Sequence, residues 1–115
     1  MDISKELQDK VFEVIEIAKT TGKVKKGTNE STKVIERGIA KLVVVAKDVN
    51  PPEVTMHLEP LCKEKGITCV EVDKKDKLGI SVGLSIGCSS AAIIDAGDAE
   101  KDLEGFKAKK QKENK

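Results

Sequence analysis

The residues best suited to chemistry lie in one short segment, KKGTNESTKVIER at positions 25–37. Two lysines and a glycine lead into a predicted helix that opens with Asn29 and Glu30. A helix N-terminus presents unpaired backbone N–H groups and a partial positive charge, so phosphate binds there readily. A pure phosphate site has no use for Glu30. A ligand with both negative charge and hydrogen-bond donors would use the amide and the carboxylate together.

Nucleic acid is a ligand of this kind, because cations position its phosphates while amides and carboxylates read its base edges. Lys33 and Arg37 follow Asn29 by four and eight residues, so the three side chains share roughly one face of the helix. Lys25 and Lys26 add charge just before the helix. The segment is therefore a candidate nucleic-acid site.

A structural explanation of the same residues stays open on pattern alone. Asn29 or Thr28 could simply cap the helix, and Glu30 could complement the helix dipole. The run of basic residues could likewise be an ordinary solvated face. The residue types alone do not decide between capping and base recognition.

Catalytic and metal-binding patterns are absent from the sequence. His57 is the only histidine, and its place between apolar neighbours favours a surface or packing role. Cys62, Cys69 and Cys88 are widely spaced, with no C-x-x-C pair and no histidine cluster, so we expect buried free thiols and no metal site. We therefore expect no catalytic residue, no cofactor and no enzymatic activity.

The composition indicates a single charged domain. The chain has 115 residues, 38% hydrophobic and 36% charged, and Phe12 and Phe106 are its only aromatic residues, which disfavours recognition by base stacking. Net charge is only +1, yet residues 19–37 carry five lysines and one arginine against two glutamates. We expect one domain over 1–106 and a flexible lysine-rich tail over 107–115. The N-terminus has no apolar core typical of a signal peptide, so we expect a cytoplasmic protein.

One uncharged stretch, LGISVGLSIGCSSAAII at 78–94, has glycines spaced as in membrane helix dimers. It is shorter than the ~20 residues needed to span a bilayer, and four serines interrupt it. A helix, a loop and a buried strand in succession explain it better, and we expect no membrane association.

Apolar residues at helical spacing alternate with short β-branched runs along the chain. The pattern predicts helices over 3–19, over 29–37, from Val54 to Gly66, from Asp76 to Val82 and from Gly97 onward. It predicts extended segments over 23–26, 42–46, 68–72 and 91–95, with a loop at 84–88. This alternation predicts an α/β fold, a three-layer α/β/α sandwich around a small mixed four-stranded sheet.

Single residues give further local expectations. Gly22 suits a helix C-terminal cap, and Asp76 suits an N-cap. Pro60 lies inside a predicted helix and should break or kink it. The run from Leu42 to Ala46 should be a strand buried on both faces. Residues 50–52, Asn-Pro-Pro, should form a turn.

The longest motif of the chain, VKKGTNESTKVIERGIAKLVVVAKDVNPPEV at 24–54, resembles the archaeal form of the L7Ae family of ribosomal proteins. LCKEKGI at 61–67 and DKLGISVGLSIGCSSAAIIDAGD at 76–98 match the same family in order, so the resemblance covers about residues 5–100. It implies a protein that recognises kink-turn RNA, a bent helix–bulge–helix element with tandem sheared G·A pairs. The implied partners are ribosomal RNA of the large subunit, box C/D and H/ACA guide RNAs, ribonuclease P RNA and the core proteins of those particles. Separately, no long exposed apolar face is evident in the sequence, so we expect a monomer when free.

By this resemblance, Asn29 and Glu30 meet the guanine edges of the sheared pairs. Lys26 and Lys33 contact the same groove and its phosphates. The resemblance also implies that the protein backbone at Gly27 and Thr28 comes close to the RNA and that Arg37 contacts the flanking phosphates.

The resemblance also implies that the loop at 84–88 covers bulged nucleotides through Leu84, Ser85 and Ile86. The family usually has Glu or Arg, and often Pro, where this chain has Ser85, Ile86 and Gly87. The lysine-rich tail matches nothing specific and would add unspecific, salt-dependent affinity. The rival interpretation is a protein-interaction or small enzymatic role on the same sandwich, because fold does not fix function.

Overall fold

The computed structural model describes residues 5–48 and 56–113, with side chains described as far as Phe106. Each predicted helix and strand forms, with ends close to those expected where they are described. The predicted turn at 50–52, together with Ile3 and Val54, lies outside the described residues. In chain order the elements are α1 (Lys5–Thr21), β1 (Lys23–Lys26), α2 (Thr28–Glu36), β2 (Leu42–Ala46), α3 (Leu58–Lys65), β3 (Thr68–Val72), α4 (Lys75–Ser81), β4 (Ser90–Asp95), a 3-10 turn (Gly97–Ala99) and α5 (Glu100–Glu113).

The four strands form one mixed sheet in the order β1-β4-β2-β3. Strand β4 runs antiparallel to both of its neighbours, whereas β2 and β3 are parallel. All five residues of β2 are buried, as expected for a central strand covered on both faces. The register places Lys26 of β1 opposite Ala91 of β4, which brings the end of β1 beside the start of β4.

Helices cover both faces of the sheet, because alternate strand residues point to opposite sides. Leu42 and Val44 of β2 belong to a core with α1, α4 and α5, whereas Val43 and Val45 belong to a second core with α2 and α3. The predicted three-layer α/β/α sandwich with a mixed four-stranded sheet is confirmed.

Gly22 directly follows the last residue of α1, as expected for a helix C-terminal cap, but its conformation is not what requires glycine there. Its φ is not positive, in contrast to Gly38 and Gly66, which end α2 and α3 in the left-handed region. A side chain at Gly22 would overlap the main-chain carbonyl of Asp95 at the end of β4. The glycine is therefore required by close packing against β4 and not by the helix end.

The expected N-cap at Asp76 is wrong. Helix α4 begins at Lys75, one residue earlier, and Asp76 lies within its first turn. The Lys75 N–H donates to Asp48 Oδ1 at 2.7 Å, so a carboxylate from the turn after β2 accepts a hydrogen bond from the first turn. This partner is 27 residues away in the chain, which is why a local capping rule missed it.

Pro60 does not break its helix, contrary to expectation. Helix α3 begins at Leu58, so Pro60 occupies the first turn, where backbone N–H groups have no intrahelical partner. At the other end of the chain, α5 continues to Glu113 and includes most of the predicted tail at 107–115. The flexibility expected for that tail stays a prediction.

The uncharged stretch 78–94 divides as expected into the end of α4, a loop and strand β4. Among the helices that the structure describes, none is long and apolar enough to cross a membrane.

Candidate nucleic-acid interface

The start of α2 is capped by backbone alone. Gly27 is the N-cap, with φ 91° and ψ 160°, and no side chain bonds to the first-turn N–H groups. The first helical hydrogen bond runs from the Ser31 N–H to the Gly27 carbonyl at 3.0 Å. The explanation that Asn29 or Thr28 caps this helix is therefore wrong. Glu30 does lie in the first turn, where its charge complements the helix dipole.

The hydroxyl of Thr28 bonds away from its own helix. Thr28 Oγ1 lies 2.9 Å from Ser89 Oγ, just before strand β4. The Gly27 N–H donates to the Ser90 carbonyl at 2.8 Å. The turn from β1 into α2 is thus fixed against the segment that leads into β4.

The exposed face of α2 carries the three residues that were predicted from their spacing to share one face. Asn29, Lys33 and Arg37 are all exposed, whereas Val34 and Ile35 are buried against the sheet. Asn29 and Arg37 are eight residues apart, which is about 12 Å along a helix axis. The shared face is confirmed, and it presents an amide at the helix start and cations further along.

Glu30 and Lys33 form an ion pair on this surface. Glu30 Oε1 lies 3.6 Å from Lys33 Nζ, and the two side chains are 45% and 66% exposed respectively. An exposed pair one turn apart stabilises a helix by about 0.2–0.5 kcal/mol. Both groups can therefore exchange this contact for a ligand at little cost.

The loop at 84–88 runs back along α4. The Leu84 N–H donates to the Gly79 carbonyl at 2.8 Å, and the Cys88 N–H donates to the Lys75 carbonyl at 3.0 Å. A side chain at Gly79 would overlap the Ile86 carbonyl, so this glycine lets the loop lie against the helix. Leu84 packs on the core, whereas Ile86 is 72% exposed.

The two predicted parts of the site meet at one end of the sheet. The loop leads directly into Ser89, which contacts Thr28, and Lys26 lies opposite Ala91 in the adjoining strands. Residues 26–30 and the exit of the loop are therefore neighbours in space. Arg37 lies at the far end of α2 and is not part of this junction.

Sequence reasoning missed several residues that build this junction. Thr32 Oγ1 lies 2.8 Å from His57 Nε2, which joins α2 to the start of α3. Ser90 Oγ donates to Ser31 Oγ at 3.4 Å in the interior. Both contacts join residues at least 25 positions apart, and no spacing pattern signals them. His57 has the surface role expected of it.

The cysteine side chains are buried and add no exposed group to this surface, although Cys88 is the last residue of the loop at 84–88. Cys62, Cys69 and Cys88 are free and buried, as predicted. The hydrogen bond between the Cys69 and Cys62 thiols, together with burial, raises the pKa of Cys69, and the same bond lowers the pKa of Cys62. Within residues 5–48 and 56–106, no cluster of three or more His, Cys, Asp or Glu side chains is placed to hold a metal ion.

A protein-family model described as ribosomal protein L7Ae/L30e/S12e/Gadd45 matches residues 9–103, most of the chain. The chain belongs to this family. The resemblance found in the sequence is therefore confirmed, and so is the expectation of a ribosomal-type protein in place of an enzyme.

The chain is also similar to two ribosomal proteins and to an RNA-binding protein of known structure. The chain is 52% identical over 108 residues to the large ribosomal subunit protein eL8 of Haloquadratum walsbyi, covering 94% of this chain and 90% of that protein. It is 50% identical, with the same coverage, to eL8 of Halobacterium salinarum. Among solved structures, the 15.5kD RNA binding protein of Giardia lamblia superimposes with a TM-score of 0.89 at 27% identity, covering 93% of this chain and 89% of that one.

Proposed function

We propose that this L7Ae-family protein recognises kink-turn and kink-loop RNA and holds it in the bent form. The observation that carries the proposal is the start of α2, where no side chain caps the helix and Asn29 and Glu30 stand on or beside its exposed face. The eL8 relatives are ribosomal proteins, and a solved structure of the same fold is an RNA-binding protein. Stabilising a bend that the RNA already samples is a population shift.

Asn29 and Glu30 read bases in this proposal. A carboxylate accepts hydrogen bonds from base amino and imino groups, and an amide both donates and accepts. The guanines of tandem sheared G·A pairs offer both kinds of group at their exposed edges. The proposal assigns Asn29 and Glu30 to those edges, each base contact being worth about 1–3 kcal/mol.

Cations and close backbone approach position the RNA. Lys26 and Lys33 contact the groove and its phosphates, and Arg37 contacts the backbone of the flanking helix. Gly27 and Thr28 bring the protein main chain close to the RNA, which suits a residue without a side chain at the N-cap. These contacts set register and orientation and carry no sequence information.

The loop at 84–88 covers the bulged nucleotides. Leu84 and Ile86 supply apolar surface, and Ser85 supplies a hydroxyl. The exposure of Ile86 and the short path from the loop to Thr28 through Ser89 support this assignment. The loop tunes which kink-turns and kink-loops are accepted.

In this proposal the protein is a component of the large ribosomal subunit, of the box C/D and H/ACA guide ribonucleoproteins with their core proteins, and of ribonuclease P. The protein acts in the cytoplasm and is a monomer when free of RNA. The lysines at 107–115 add salt-dependent affinity without choosing among RNAs.

The test compares alanine at the two base-reading positions with alanine at one tail lysine. We expect Asn29→Ala and Glu30→Ala to weaken binding to a kink-turn RNA by roughly 1–3 kcal/mol each, since each removes a base contact. Lys109→Ala should change the affinity much less, because it removes one unspecific phosphate contact. Equal losses from all three variants would count against base recognition.

A further inference from the structure

A chain of hydrogen bonds runs across the first turns of α2. Thr28 Oγ1 contacts Ser89 Oγ at 2.9 Å on one side. Thr32 Oγ1 donates to the Thr28 carbonyl at 2.7 Å, and it also lies 2.8 Å from His57 Nε2 on the side of α3. Asn29 lies between the two threonines in the chain.

The hydrogens of this chain can be assigned. A carbonyl oxygen only accepts hydrogen bonds, so the single hydroxyl hydrogen of Thr32 must point at the Thr28 carbonyl. Thr32 can then only accept in its contact with His57. The Nε2 atom of His57 must therefore carry a hydrogen and donate it to Thr32 Oγ1. When neutral, His57 takes the Nε2–H tautomer.

The turn between these bonds has little stability of its own. Helix α2 has nine residues, and helices this short are unstable in isolation. No side chain bonds to its first N–H groups, so local capping does not fix the turn either. Contacts to β4 and to the start of α3 stabilise this turn in place of a side-chain cap.

We propose that His57 and Ser89 are positioning residues for RNA recognition. They hold the turn from Thr28 to Thr32 from opposite sides, and so hold Asn29 and Glu30 in the geometry that reads base edges. This inference rests on the proposed function. Neither residue touches the bases, and neither was among the residues predicted to bind RNA.

The first test pairs each disruptive variant with one that keeps the bond. His57→Ala removes the donor and His57→Gln keeps an N–H group, while Thr32→Val removes the hydroxyl at equal size and Thr32→Ser keeps it. We expect the Ala and Val variants to lose about three- to tenfold in affinity for kink-turn RNA, the size of one hydrogen bond. The Gln and Ser variants should bind within about twofold of the wild type.

The matched controls separate positioning from loss of folding or charge. Each variant is also titrated with the same RNA after its G·A pairs are replaced by Watson–Crick pairs, which removes the base edges assigned to Asn29 and Glu30. Binding to that RNA should not change, and Glu64→Ala, an exposed change in α3, the helix that follows His57, should change neither affinity. Equal losses on both RNAs, or failure of Gln to restore binding, would overturn the proposal.

The second test does not depend on RNA. Long-range proton–nitrogen correlation spectra of the free protein assign the imidazole tautomer directly. The proposal predicts hydrogen on Nε2 of neutral His57, and hydrogen on Nδ1 would overturn it. If the wild type bound both RNAs equally, the proposed function would fail and the positioning role with it, while the tautomer would still report whether the bond to Thr32 exists.

Discussion

Replacing Glu30 by glutamine distinguishes base recognition from simple charge attraction, because the two explanations predict opposite changes in RNA affinity. The substitution keeps the size of the side chain and its helix propensity. It removes one negative charge from a surface that also carries Lys33 and Arg37. If the surface binds RNA only as a cationic patch, losing a carboxylate should strengthen binding to a polyanion. If Glu30 accepts hydrogen bonds from bases, binding should weaken.

The structure sets the expected size of the change in protein stability and of the change in RNA affinity. The Glu30–Lys33 pair spans 3.6 Å between exposed groups, so its loss should change the free energy of unfolding by less than about 0.5 kcal/mol. A hydrogen bond to a charged group is worth about 1.5–3 kcal/mol. The affinity for kink-turn RNA should therefore fall by roughly 10- to 150-fold while stability stays nearly constant.

The assay is a titration of fluorescently labelled kink-turn RNA at several salt concentrations, with urea unfolding of the same samples. Lys33→Gln is the matched control, because it breaks the same ion pair but removes a cation. It should reduce the slope of log affinity against log salt by about one, whereas Glu30→Gln should leave that slope unchanged. Unchanged or tighter binding by Glu30→Gln would refute the assignment of Glu30 to base edges.

Three further predictions concern the fold and the tail. Gly27→Ala should lower the free energy of unfolding in urea by about 1–3 kcal/mol, because φ 91° with ψ 160° is essentially restricted to glycine, even though a side chain there would meet no atom. Its control is Gly105→Ala in α5, where a side chain has open space and φ is not positive, and this change should not destabilise the protein. Asp48→Ala should lower stability by about 1 kcal/mol in thermal unfolding, since the Lys75 N–H loses its acceptor, and Asp48→Asn should retain most of that stability. Removing residues 107–115 should flatten the salt dependence of RNA binding, and a change in the preference for G·A pairs would contradict the unspecific role given to the tail.

The overall fold was predictable because its signals are local. The β-branched run at Leu42–Ala46 indicated a strand buried on both faces, and α2 and α3 end at glycines that adopt the left-handed conformation. The face shared by Asn29 and Arg37 follows from helical spacing alone. These features depend on residues within a few positions of one another.

The Pro60 error is local, because it came from placing the start of α3 too early, whereas the features named next depend on contact between distant residues. Asp48 satisfies the first turn of α4 in place of Asp76, and Gly22 is required by the carbonyl of Asp95. The Thr32–His57 hydrogen bond likewise joins separate helices. No periodicity or capping rule encodes which distant atoms meet, so the residues that hold the candidate site in place became visible only in the folded chain.

The most direct test of the central claim is a titration of the wild-type protein with two labelled RNAs at moderate salt. One RNA contains a kink-turn, and the other has its tandem G·A pairs replaced by Watson–Crick pairs. The proposed function predicts tight binding to the first and a loss of several kcal/mol on the second, since at least two base contacts worth about 1–3 kcal/mol each disappear. Equal, weak and salt-labile binding to both RNAs would contradict it and would leave the start of α2 as a charged helix end.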